Sequence, residues 1–137
     1  MTNQTATVAP PAAEPEVGAC CTVRIIDADR VESTRSRVLD RDHAAEVADL
    51  FRLLGDPGRV QMLCALLEAG ELCVCDLAAV VGMAESSVSH SLRLLRTAGI
   101  VSSRRSGRQV FYRLDDAHVR LLLDVSIEHV SHAGRNS

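Results

Sequence analysis

From Asp42 to Ala98 the apolar positions recur at helical spacing, broken at three glycines. The first stretch, Asp42 to Leu54, has Ala45, Ala48 and Leu53 among its apolar positions and predicts an amphipathic helix. Gly55-Asp56-Pro57 interrupts it, and Pro57 suits the first turn of a helix. Val60 to Ala69 predicts the next helix, which Gly70 ends. A third begins within ELCVCDLAAVVG and runs to about Val81, with Gly82 as the stop. After a short turn at Met83-Ala84-Glu85, a fourth covers Ser86 to Ala98 and closes at Gly99. The period then drops to two. Ile100–Ser103 and Val110–Leu114 predict strands flanking Arg104-Arg105-Ser106-Gly107-Arg108, a hairpin with a basic tip. Asp115 or Asp116 caps a last helix through about Ser131. Residues 1–19 are Pro/Ala-rich without periodicity and predict a disordered tail. Residues 20–41 form an arm carrying Cys20 and Cys21, 42–132 one domain, and 133–137 a short tail.

Helix, turn, helix and hairpin in that order predict a winged helix-turn-helix, mainly α with a small β-hairpin. Composition refines this. The chain has 137 residues, 47% hydrophobic but only 2% aromatic, so the core should be aliphatic. A net charge of −3 argues against nucleic acid unless the basic residues cluster. They do: Ser86 to Arg113 holds six Arg and no Asp or Glu. That local +6, beside a helix face bearing Ser86, Ser87, Ser89, His90 and Arg93, is the footprint of a DNA-facing surface. No charged start followed by an apolar run marks a signal peptide, and no run reaches membrane-spanning length. The expectation is a cytoplasmic chain with no membrane partner, whose five cysteines serve metal or redox chemistry. No HExxH, Cys–His–Asx order or Gly-rich phosphate loop stands out, which disfavours an enzyme with a small-molecule substrate.

Cys73 and Cys75 raise the chemical question. Two residues apart on a helix their side chains would diverge by about 200°, but at a helix start both can turn to one side. That position also favours the thiolate. Soft-metal sites need three or four ligands, and Cys20 and Cys21 are the remaining candidates. Cys64, between Met62, Leu63, Ala65 and Leu66, is expected in the core.

ELCVCDLA, SSVSHSLRLLRTAGIV, GRQVFYRL and DDAHVRLLL together resemble the ArsR/SmtB family of metal-sensing repressors, over about residues 42–132. The CVC form is most similar to the branch sensing cadmium and lead, with zinc as a further ligand. The resemblance implies a homodimer that binds operator DNA and dissociates on binding cadmium, lead or zinc, controlling metal efflux or resistance genes. It places Ser86, Ser89 and His90 against bases and Arg104, Arg105 and Arg108 against phosphates. It pairs Cys73 and Cys75 with N-terminal cysteines of the other subunit, here Cys20 and Cys21. In the family those two are spaced apart; here they are adjacent and could both bind one ion only with a strained backbone, which leaves open whether both ligate.

Asp116, His118, His129 and His132 match the family's zinc-type site position by position. His129 and His132 are i,i+3 on the last helix and can share an ion. His118 lies eleven residues before His129, roughly 16 Å along the helix, so one chain cannot close this site. Two antiparallel last helices can. Two rival readings stay open: a repressor with the same DNA surface but a thiol-redox input, and, less favoured, a small thiol or metal-dependent enzyme.

Overall fold

The computed structural model describes residues 24–135, and its backbone falls into two compact units that divide between Leu39 and Asp40. Cys20 and Cys21 lie outside the described residues. The first unit contains α1 (Ala28–Arg35), a helix the hydrophobic pattern did not predict. It buries no residue; Asp27 caps it by accepting from the Arg30 N–H. A helix held by its cap rather than an apolar stripe leaves no periodic signal.

The second unit runs α2 (Arg41–Leu54), α3 (Pro57–Ala69), β1 (Leu72–Cys73), α4 (Val74–Val81), α5 (Glu85–Thr97), β2 (Val101–Ser106), β3 (Gln109–Leu114) and α6 (Ala117–Ala133). This is the winged helix-turn-helix expected, with an addition. β1, two residues long, pairs antiparallel with β3 and makes the sheet three-stranded, in the order β1-β3-β2. α3 starts at Pro57, earlier than Val60, because the Asp56 carboxylate accepts from the Arg59 N–H and Pro57 occupies the first turn.

The core is aliphatic, as composition predicted. Met62, Leu63 and Leu66 of α3, Leu77 of α4, and Val88, Leu92 and Leu95 of α5 are fully enclosed with Ile100. On α5 the buried positions Val88, Ser91, Leu92 and Leu95 form one stripe at i, i+3, i+4 and i+7. That stripe fixes the opposite face outward. The turn into α5 depends on Gly82, left-handed at φ 66°, whose N–H donates to the Ala78 carbonyl. α6 adds Val119 and Leu123 to the core. Cys64 departs from expectation: it is half-buried, lining a cavity with Val60, Ala65 and Val80, because α3 turns that face outward.

Among the described residues no helix is long and apolar enough to cross a membrane.

A candidate thiolate corner beside a basic helix and hairpin

Cys73 is both the last residue of β1 and the N-cap of α4. As an N-cap its backbone is extended, at φ −78° and ψ 166°, and that lets a side chain two residues before another share its direction. The sulfurs of Cys73 and Cys75 lie 3.2 Å apart. Asp76, which the sequence reading did not single out, joins them: one ligand atom from each of the three lies within 4.8 Å of the others. The signal was present as an acid in the first turn of a short helix, where capping alone accounts for it. Cys73 is buried, while Cys75 and Asp76 are exposed, so the corner opens to solvent on one side.

The thiolate expectation needs correction. The Asp76 backbone N–H, the largest single influence, favours a charged Cys73 sulfur. The Cys75 thiol, burial and the Asp76 carboxylate together outweigh it, and the Cys73 thiol is pushed above its ordinary value. The helix start is real, but its dipole is opposed by a neighbouring acid. Two sulfurs and a carboxylate oxygen suit a soft or borderline cation, which removes the thiol protons by its own charge. A tetrahedral zinc–thiolate pair needs sulfurs about 3.8 Å apart, so these side chains fit after opening by less than an ångström.

The other four candidate ligands are not brought together within the chain. Asp116 caps α6, accepting from the N–H groups of His118 (2.8 Å) and Val119 (3.0 Å) through one carboxylate oxygen. The Val119 N–H, more than any other group, holds its carboxyl below the usual carboxylate range. His118 is fully exposed beside it. His129 and His132 stand exposed near the other end of α6, and His132 Nδ1 lies 2.8 Å from the Glu128 carbonyl oxygen, which leaves Nε2 bare for a ligand.

On α5, Ser86, His90 and Arg93 share the solvent stripe, Ser87 flanks it, and Ser89 is half-buried at its edge. α5 has no side-chain N-cap, since Ala84 holds that place, so its first N–H groups remain available to an acceptor. The wing differs from the expected five-residue basic tip. β2 and β3 pair from Val101↔Leu114 to Ser106↔Gln109, leaving a two-residue turn of Gly107 and Arg108, with Gly107 at φ 62°. Arg104 and Arg105 are therefore strand residues on opposite faces of the sheet. Arg105 and Arg108 are exposed. Arg104 is not free: its guanidinium grips the Glu71 carboxylate and lies 4.8 Å above the Phe111 ring. Arg113 faces Asp115 at 3.5 Å. The sequence count of +6 thus overstates the open charge, because acids outside that window neutralise two of the six.

The sequence model for bacterial regulatory proteins of the arsR family matches residues 56–103, from the N-cap of α3 into the wing. A transcriptional repressor SmtB homolog of Synechocystis is 40% identical over 80% of this chain and 83% of its own length. A cadmium resistance transcriptional regulatory protein CadC homolog of Staphylococcus aureus is 38% identical, over 80% of this chain and 89% of its own. The crystal structure of the AntR antimony-specific transcriptional repressor superposes with a TM-score of 0.66 at 33% identity, covering 84% of this chain and 98% of that one.

Proposed function

Because the chain belongs to the ArsR family of bacterial regulatory proteins, it is a DNA-binding transcriptional regulator and not an enzyme, and we propose that it is a dimeric repressor released from its operator by cadmium, lead or zinc. The observation that carries this reading is the position of the thiolate corner. Cys73 and Cys75 sit at the start of α4, the helix that leads through Gly82 into α5. Cys73 is also paired in register with Phe111 of β3, which carries the wing. A ligand that opens the two sulfurs and holds them with Asp76 around one ion acts on both DNA-facing elements at once. Cys73, Cys75 and Asp76 hold the ion in this reading, with Cys20 or Cys21 completing the donor set.

The dimer rests on α2 and α6. Val47 and Phe51 of α2, and Leu121, Val125 and Val130 of α6, are exposed apolar residues. A cavity of about 440 Å³ opens between the two helices, lined by Phe51, Leu54, Leu122 and Ile127 among others. Apolar faces of this kind mark an interface. Asp116 and His118 of one protomer then meet His129 and His132 of the other, which no single chain achieves. In this reading Ser86, Ser87, Ser89 and His90 read bases from the major groove, and Arg93, Arg105 and Arg108 bind phosphates.

The ion lowers DNA affinity by the ratio of its affinities for free and bound dimer, and DNA must lower ion affinity equally. The test is fluorescence anisotropy on a duplex that the protein selects from a randomised pool, repeated with cadmium, lead, zinc and peroxide. Cadmium or lead should weaken binding by tenfold or more, within the usual range of coupled sites. Release by peroxide with no response to any metal would replace this reading by the thiol-redox one, which the 3.2 Å sulfur contact also permits.

A further inference from the structure

We propose that Glu71 acts as an internal phosphate substitute that withholds Arg104 from DNA, so that one carboxylate sets the affinity and salt dependence of the wing. This rests on the DNA-binding reading above. Arg104 Nε lies 2.8 and 2.9 Å from the two Glu71 oxygens, and the NH2 group of the same guanidinium grips the carboxylate as well. A guanidinium fork meets a carboxylate and a phosphate with the same bidentate geometry, so the two compete for one face.

Three features hold the arrangement. Glu71 immediately precedes β1, whose pairing Leu72↔Tyr112 fixes it at the sheet edge. Arg104 is opposite Phe111 in register, and the ring lies under its guanidinium. Arg113 adds a second positive charge near Glu71, which keeps the carboxylate ionised: the Arg104 hydrogen bonds, then the charges of Arg104 and Arg113, hold it below the usual carboxylate range. Glu71 is the more enclosed partner, at 28% side-chain exposure against 56% for Arg104, so the arginine is the member free to move. Arg105 points to the opposite sheet face. The wing thus carries two arginines already paired with acids, Arg104 and Arg113, and two, Arg105 and Arg108, available.

The experiment is a double-mutant cycle on the full chain, measuring affinity for the selected duplex against salt concentration. Each phosphate contact contributes a slope of about −0.9 in log K against log salt. Glu71→Gln should steepen the slope by about that amount and tighten binding roughly eightfold near 0.1 M salt. Arg104→Ala alone should change neither, and in its background Glu71→Gln should gain nothing. Arg104→Gln, which keeps an extended side chain over Phe111, repeats the cycle should the alanine variant lose its fold by circular dichroism. A slope flattened by Arg104→Ala or Arg104→Gln in the wild-type background would overturn the proposal, because Arg104 would then reach phosphate in spite of Glu71. So would a gain from Glu71→Gln that persists without Arg104, since that is a general charge effect. Arg105→Ala separates the two readings: a flattened slope there shows the DNA surface working even where the cycle fails. No duplex binding by the wild type removes both.

Discussion

The thiolate corner and the ends of α6 both gather metal-binding side chains, yet one is assembled within a single chain and the other is not. Cys73, Cys75 and Asp76 span four consecutive residues, and a strand end followed by a helix start turns them to one side. Asp116–His118 and His129–His132 are tied to one rigid helix that keeps them apart. The difference lies in the backbone. An N-cap can change direction within two residues, whereas a helix interior cannot. Short-range sites therefore follow from local dihedrals, while long-range ones wait on a second element, in the proposed dimer a second copy of α6.

The strongest way to break this contrast is to remove the second copy. Val125→Glu, at a residue 56% exposed in the single chain, should leave the fold intact and prevent dimer formation. Operator affinity should then fall about a hundredfold or more, because the two reading helices no longer bind as a linked pair. Sedimentation and anisotropy check this together; an unchanged sedimentation coefficient would move the interface off α6.

The next effect separates the two sites chemically. Cys73→Ser should keep operator binding but abolish release by cadmium or lead, a loss of tenfold or more in response. The ultraviolet band of cadmium bound to thiolate should disappear with it. His129→Ala should spare both and alter only a zinc response, since imidazole and carboxylate favour the harder ion. Should His129→Ala lose cadmium release while Cys73→Ser keeps it, the two sites have been assigned in reverse.

The smallest effect concerns Asp116, which is both cap and candidate ligand. Asp116→Ala should cost about 1 kcal/mol through the lost cap, visible as a drop of a few degrees in Tm without any metal. The folded carboxyl titrates below its ordinary value, so its stabilisation is present above the unfolded pKa and is lost as pH falls through the folded one. The Tm gap between wild type and variant should therefore hold at neutral pH and narrow below about pH 4. A gap independent of pH would show that the charge of Asp116 contributes nothing to the cap.

By itself the sequence determined the order of elements from α2 to α6, because apolar spacing and glycine stops act over a few residues and the core stripe of Val88, Leu92 and Leu95 follows from them. It determined too that Cys73 stands at a helix start, and that His118 and His129 cannot meet on one helix. It missed α1, which buries no side chain, and β1, whose two residues form a strand only because β3 lies beside them. Tertiary structure alone decided which arginines are open. Strand pairing placed Arg104 over Phe111 and against Glu71, thirty-three residues earlier, and left Arg105 on the other face. Counting charge along a chain treats neighbours in sequence as neighbours in space, and a folded sheet brings in an acid from outside the counted window.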